Sequence, residues 1–433
     1  FFFGFGFLLI YLSWIYNPFL VYENTKPYTI VGILFPIFLS IFYGFSFFIY
    51  KYAKNLILLI LFTPFIFTFI EFFISNFIYG FPWISNSLIL SNNLFGFYLI
   101  KYFGTLTSGY LIILIFILTT FFFNNFKFRN LRKLIILVYS PIIFILAIPF
   151  IYVFSNNNTL SKELTIDAYQ ILSPINKINK KKIEENIINI IKNSDSNYII
   201  FAENNFPYLV DKKKSINLIN FLKDEQKVII GATTREGKNY QNSLLLLEKN
   251  KINYFDKKIL VPFGEFLPFR KYLNFMESIS GTIDYKVGEL QRVMTTKDNV
   301  KILPIICYEI IFDQIFKNIN KDEIDLLVNI TNDSWFGNKI GPYQHFYITR
   351  IKTLIANKPL IRVSNNGISA IIDHNGKIIQ SSELNQISNL KYTLKTNNKK
   401  SYFYFHKIIS FYLIFIFVLL LLFSRRELNE NKF

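Results

Sequence analysis

The chain carries a single cysteine, Cys307. It follows an apolar run, Lys301–Ile306, that reads as a strand, and precedes Tyr308–Phe316, which reads as a helix. A thiol at such a junction stands at a strand's end, where a helix N-terminus favours the thiolate. The same local sequence also suits a buried core cysteine, a common fate of the residue. Glu203 ends a second apolar run, Asn197–Phe201. A carboxylate desolvated there has a raised pKa and suits a general base near neutral pH, although an exposed turn acid fits the same pattern. Lys257 opens the segment Lys257-Lys258-Ile259-Leu260-Val261-Pro262-Phe263-Gly264-Glu265. A fixed ammonium can stabilise an oxyanion. Taken singly it is one lysine among many, but an apolar Pro- and Gly-containing loop bracketed by Lys and Glu is unusual.

Other chemistries are excluded by composition and spacing. One cysteine rules out a disulfide framework and any multi-cysteine zinc or iron–sulfur site, and three histidines leave little for a His-built metal centre. His345, His374 and His406 lie near no Gly-x-Ser-x-Gly elbow. No Gly-rich phosphate loop of Walker or Rossmann spacing is present.

These residues sit within residues 156–404, where short apolar runs alternate with polar turns. Strands are expected at Asn197–Phe201, Lys227–Ile230, Ser243–Glu248, Ile252–Phe255, Lys301–Ile306, Leu326–Ile330, Leu360–Ser364 and Ile368–Asp373. Helices are expected at Lys181–Asn193, Ser215–Asp224 and Tyr343–Ala356. Mixed strands and helices over that length imply one α/β domain.

The remainder is different. Of 433 residues 52% are apolar and 51 are Phe, yet residues 1–126 hold only six charged side chains, Glu23, Lys26, Lys51, Lys54, Glu71 and Lys101. Bilayer spans need about 20 apolar residues. Segments that qualify are Phe1–Tyr22, Tyr28–Tyr50, Asn55–Tyr79, Tyr102–Phe126, Leu134–Phe154 and, near the C-terminus, Ile408–Ser424. The basic clusters Lys51/Lys54, Lys127/Arg129/Arg132/Lys133 and Arg425/Arg426 all fall on one side in a single topology. The positive-inside rule makes that side cytoplasmic and puts residues 156–404 across the membrane. The domains expected are therefore a helical region 1–155 of about five spans, a catalytic domain 156–404, and a terminal span with tail, 405–433. The net charge of +18 comes with Lys scattered among Glu and Asp, without an Arg-rich stripe, so nucleic acid is not an expected partner. The chain starts inside an apolar run without Met, and we expect residues to precede it.

Together these segments resemble one family. The order Glu203, Lys257, Cys307 resembles the Glu-Lys-Cys triad of the nitrilase superfamily. The words Ala202-Glu203-Asn204-Asn205-Phe206-Pro207, Leu260-Val261-Pro262-Phe263-Gly264-Glu265-Phe266-Leu267-Pro268, Cys307-Tyr308-Glu309 and Asn332-Asp333-Ser334-Trp335-Phe336-Gly337 resemble apolipoprotein N-acyltransferases. So do Gln344-His345, Arg362-Val363-Ser364-Asn365-Asn366-Gly367-Ile368-Ser369-Ala370, Gly80-Phe81-Pro82-Trp83, and Gly4-Phe5-Gly6-Phe7 with Ser13-Trp14-Ile15.

The resemblance implies a multi-span helical membrane domain plus an α-β-β-α nitrilase-like sandwich on the periplasmic side of the bacterial inner membrane. The family has seven spans before that domain, which fits loss of the first two here. The implied activity uses no cofactor and no metal. It moves a fatty acyl chain from a phospholipid, through a thioester on Cys307, to the N-terminal amine of a diacylglyceryl apolipoprotein. Glu203 is then the base and Lys257 the oxyanion donor. Glu265 orients the lysine, and Tyr308 and Glu309 shape the acyl or amine site. Trp83 and Trp335 line an apolar entry path, unless they serve ordinary packing. The rival reading is a membrane-tethered nitrilase-type amidase or carbamoylase. Two departures from the family pattern stand out. Ile74 replaces the Arg of a Glu71-x-x-Arg pattern, and Ile355 replaces a Glu in Lys352-Thr353-Leu354-Ile355-Ala356-Asn357-Lys358-Pro359.

Overall fold

The computed structural model describes residues 1–52, 56–123, 162–174, 179–289, 292–317, 319–320, 323–396, 406, 408 and 412. The described residues form two compact units. One holds residues 1–11, those described within 33–123, and 406, 408 and 412; the other holds 12–32 and those described within 162–396.

The first unit is helical. Its helices are α1 (Phe2–Tyr11), α2 (Val31–Phe47), α3 (Leu56–Asn76) and α4 (Leu94–Phe123). The stretches Glu23–Lys51, Leu58–Asn76 and Leu94–Thr120 are long and apolar enough to cross a membrane. Their outward side chains are apolar too: Ile33, Leu34, Phe38, Ile41 and Phe45 of α2 are all exposed. A helix apolar all round suits a lipid solvent. Pro36 and Pro64 sit inside α2 and α3 without ending them.

Three of the expected spans differ in detail. The first helix stops at Tyr11 rather than Tyr22. Beyond it Asn17-Pro18 and Glu23–Ile30, with Pro27, form 3-10 turns. Proline removes a helical donor and polar side chains compete for the backbone, so the apolar count overstated this helix. The second helix accordingly begins at Val31. The fourth begins earlier than expected, at Leu94, and is broken at Gly104, whose φ of 77° only glycine adopts cheaply. The fifth segment lies outside the described residues, and of the sixth only Ile408 and Tyr412 are described.

The second unit is a two-sheet sandwich. Its strands are β1 (Glu163–Gln170), β2 (Tyr198–Phe201), β3 (Val210–Asp211), β4 (Lys227–Glu236), β5 (Asn239–Glu248), β6 (Lys251–Asp256), β7 (Met294–Thr295), β8 (Lys301–Ile306), β9 (Leu326–Thr331), β10 (Leu360–Ser364), β11 (Ala370–Ile372), β12 (Ile378–Ser381) and β13 (Ser388–Lys395). One sheet runs β13-β1-β2-β4-β5-β6, with β3 beside β4. The other runs β12-β11-β10-β9-β8-β7.

Alternation along the strands decides the layers. Ile199, Phe201, Val228, Ile230, Leu245 and Leu247 bury one face of the first sheet against Ile187 and Ile191 of helix α5 (Lys180–Asn193). Side chains of the opposite parity, such as Tyr198 and Ile200, are equally buried and face the second sheet. Contacts of β1 and β2 with β10, and of β5 with β8, close that inner layer. Helix α6 (Ile340–Ala356) packs on β10. The result is the expected α-β-β-α sandwich.

Strands β1-β2-β4 and β8-β9-β10 are parallel within their sheets. Parallel strands end together, and the loops at their C-terminal ends are where α/β folds place chemistry. Glu203 lies just beyond β2, Cys307 just beyond β8, and Asp333 two residues beyond β9.

Candidate active site

Lys257, Glu203 and Glu265 form a buried cluster. The Lys257 ammonium donates to Glu265 Oε1 at 2.9 Å and lies 3.9 Å from Glu203 Oε1. Asn242, on β5, bridges the two acids: its Nδ2 donates to Glu203 Oε1 at 2.7 Å and to Glu265 Oε1 at 2.8 Å. Its backbone carbonyl also accepts the Lys257 backbone N–H at 2.8 Å. The second Glu265 oxygen accepts the Val261 N–H at 2.8 Å, which folds the Val261-Pro262-Phe263-Gly264 loop back over the lysine. The unusual composition of that loop thus has a physical use.

Glu203 is held by a tight turn. The Ala202 N–H donates to Asn205 Oδ1, and Asn205 Nδ2 donates onward to Asn365 Oδ1. The turn lies against Gly231 of β4, where an added Cβ would stand 2.6 Å from Glu203 Cα. Cys307 adopts φ +49°, a left-handed conformation that is strained for a non-glycine residue. The Glu203 carboxyl and the Thr331 hydroxyl are neighbours of its sulfur, and each acts on its ionisation.

Each charge state has a local cause. Burial raises the Cys307 pKa, and the neighbouring Glu203 carboxylate adds to this; Lys257 opposes both, leaving the thiol at about 12. The resting side chain is therefore a neutral thiol. Burial also raises Glu203, Lys257 pulls it down, and Glu265 pushes it up again, for a net upward shift. Burial works against the Lys257 charge, but Glu265 and Glu203 outweigh it and the ammonium is held. The cluster is a carboxyl tuned upward, a cation fixed beside it and a neighbouring thiol on which both act.

Glu309 is fully buried and has a different task. Its Oε1 accepts the N–H groups of Lys258 (2.8 Å) and Ile259 (3.1 Å) and the Arg292 guanidinium (2.9 Å), while Oε2 accepts the Ile306 N–H at 2.9 Å. It ties the segment after Lys257 to the turn carrying Cys307. Tyr308 is buried with its ring 5.1 Å from that of Phe312. Trp335 is half-buried in the turn after β9, its ring 6.3 Å from that of Tyr22. Trp83 belongs to the helical unit, where it is fully buried and stacked on Phe81. The structure thus brings Glu203, Lys257, Glu265 and Cys307 together, sets Tyr308 and Glu309 next to them in the chain, and leaves Trp83 in the other unit. Among the described residues there is no cluster of His, Cys, Asp and Glu suited to a metal.

Two departures from the family pattern find local answers. The Glu71 carboxylate accepts from Ser85 Oγ (2.9 Å), Asn86 N (2.9 Å) and Asn86 Nδ2 (2.8 Å), so the loop after α3 supplies partners without an Arg. Ile355 is simply buried. Asn242 escaped sequence reasoning, because a lone Asn in a strand carries no motif, and Asn205 was visible only as part of the Glu203 segment, without a role.

Both parts of the chain match known families. Residues 179–388 match the carbon-nitrogen hydrolase family, and residues 1–118 match the apolipoprotein N-acyltransferase N-terminal domain. An apolipoprotein N-acyltransferase of Rickettsia bellii is 32% identical over 419 residues, covering 89% of this chain and 80% of that protein. The chain belongs to the apolipoprotein N-acyltransferase family. The Rickettsia typhi member is 40% identical over 181 residues, an alignment that spans only 36% of its length. The Wigglesworthia glossinidia brevipalpis N-acyltransferase is 40% identical over 211 residues, or 41% of its length. Among solved structures, a nitrilase-superfamily protein of Saccharomyces cerevisiae covers 55% of this chain and 93% of its own, at 15% identity and a TM-score of 0.42.

Proposed function

We propose that this N-acyltransferase family member moves a fatty acyl chain from a phospholipid to the N-terminal amine of a diacylglyceryl apolipoprotein, by way of a thioester on Cys307. The observation that carries the reading is a buried carboxylate 3.9 Å from a buried ammonium, with the buried sole thiol close enough for both charges to act on it.

In the first half-reaction Glu203 takes the thiol proton and the sulfur attacks the ester carbonyl. Lys257 donates to the oxygen on which negative charge develops. Collapse breaks the ester C–O bond, and Glu203 returns its proton to the departing lysophospholipid oxygen. In the second half-reaction the amine attacks the thioester carbonyl, Glu203 takes an amine proton, the C–S bond breaks, and Glu203 returns that proton to the departing sulfur of Cys307. Covalent catalysis divides one difficult transfer into two easier ones. Glu265 and Asn242 position Lys257 and Glu203. Tyr308 shapes the acyl or amine site, and Trp335 lines an apolar entry path to it.

Both substrates are lipids, which suits a domain carried with apolar helices. The basic clusters of the short loops support an inner-membrane protein with its catalytic domain on the periplasmic side and a terminal span after residue 405. An amidase acting on soluble substrates has no use for those helices. The test is reconstitution of the Cys307→Ala protein in vesicles with phospholipid and a diacylglyceryl peptide. The variant should fold and form no N-acyl peptide. Product at the parent rate would end the proposal.

A further inference from the structure

Behind the thiol lies a buried polar chain that the mechanism above does not use. Strands β8 and β9 are parallel with Ile306 opposite Ile330, so the next residues, Cys307 just past β8 and Thr331 at the end of β9, lie side by side. The Thr331 hydroxyl donates to Asp333 Oδ1 at 3.1 Å. That oxygen also pairs with His345 Nδ1 at 2.8 Å, and Oδ2 accepts from Arg362 at 2.6 Å. Arg362 is anchored by Asn329 Oδ1 (2.6 Å), Thr349 Oγ1 (2.9 Å) and the Ile368 carbonyl (3.1 Å). Thr331, Asp333, His345 and Arg362 are all fully buried.

Asp333 therefore stays ionised and in place whether or not Thr331 donates to it, because Arg362 and His345 satisfy it independently. Its carboxyl is held well below the usual range by Arg362 and His345 in spite of burial. A hydroxyl has one proton and rotates freely. Beside an ionised Asp333 and a neutral thiol, it points at the carboxylate. Once Glu203 has removed the thiol proton, a second anion stands on its other side.

We propose that Thr331 is a catalytic hydrogen-bond donor to the Cys307 sulfur, turning its hydroxyl from Asp333 to the thiolate, with Asp333, His345 and Arg362 as its positioning residues. No proton leaves Thr331; only the direction of its O–H changes. The same donor serves again when the C–S bond of the thioester breaks and charge returns to sulfur. This rests on the reading of Cys307 as nucleophile. The charged and titratable groups around the sulfur are Glu203 and Lys257 from the first sheet, and Asp333, with His345 and Arg362 behind it, from the second.

The test is the rate of iodoacetamide alkylation of the only thiol, measured against pH in the full-length protein, beside the rate of acyl-enzyme formation from phospholipid. Thr331→Val and Thr331→Ala remove the hydroxyl at two different volumes, and Thr331→Ser restores it. Loss of a hydrogen bond to a charged group should slow both reactions about 10- to 100-fold and move the alkylation profile to higher pH, with Ser within a few-fold of the parent. A merely loosened fold would expose the thiol and speed alkylation, the opposite sign. Parent-like alkylation and acylation in either apolar variant, or faster alkylation in both, overturns the proposal. Full transfer by a Cys307→Ala protein would instead remove the nucleophile reading itself.

Discussion

Replacing Glu265 by Gln probes the cluster where its charges meet. Glu265 accepts from Lys257 (2.9 Å) and Asn242 (2.8 Å) on one oxygen and from the Val261 N–H (2.8 Å) on the other. Gln has the same shape but one acceptor, so its amide N–H must face a donor in either orientation. An unsatisfied buried donor costs about 1–3 kcal/mol, and the lost charge-assisted bond to Lys257 about 1.5–3 kcal/mol. Glu203 still faces the lysine, so the two losses do not add fully. We expect acyl-enzyme formation to fall about 10- to 100-fold, each factor of ten being about 1.4 kcal/mol. The pH dependence gives a second, signed readout. Glu265 raises the Glu203 pKa and Lys257 lowers it. Removing the Glu265 charge leaves the lysine to Glu203 alone, so both changes lower that pKa. A base works deprotonated, so the acid limb of the rate must move to lower pH. The assay is single-turnover acylation from phospholipid in vesicles across pH. An acid limb that stays put or moves upward would refute the reasoning, as would a rate within threefold of the parent at every pH.

Three further variants test separate parts. Lys257→Met keeps the stem and removes the ammonium; loss of an oxyanion donor predicts a drop of about 10²–10³ in the acylation rate with phospholipid binding retained, measured by single turnover and vesicle binding. Glu309→Gln should lower the thermal midpoint by several degrees, because four N–H donors then share one amide oxygen, the amide NH2 faces at least one of them, and the buried Arg292 charge is left unbalanced; an unchanged midpoint would contradict the tie described. Gly231→Ala forces a Cβ to within 2.6 Å of Glu203 Cα, so activity should fall more than tenfold while the variant keeps the parent's pattern of limited proteolysis.

The strands that carry the chemistry were legible because each is a short apolar run with an abrupt polar end. Lys301–Ile306 and Leu360–Ser364 match expectation to the residue, and Asn197–Phe201 is one residue long at its start. Strand β1 went unseen, since its central Asp167 and terminal Gln170 break the pattern, although both are buried and hydrogen bonded. Strand β13 alternates Leu390, Tyr392 and Leu394 with polar residues at a sheet edge, and its signal is equally weak. The expected helices at Ser215–Asp224 and Tyr308–Phe316 are 3-10 turns, Asn217–Phe221, Cys307–Ile311 and Asp313–Phe316. The positive φ at Cys307 and the Glu309 tie bend the chain too tightly there for an α-helix. Site residues with charge or sulfur were visible from their neighbours. Asn242 and Thr331 were not, because only tertiary pairing turns a strand-borne amide or hydroxyl toward the cluster.

The account depends most on fatty acyl passage through the sulfur of Cys307. Intact-mass and peptide mass spectrometry of the protein after incubation with phospholipid alone measures it directly. We predict one added acyl group, located on Cys307, labile to hydroxylamine and discharged on addition of a diacylglyceryl peptide. An unmodified Cys307 in protein that goes on to acylate the peptide would contradict it.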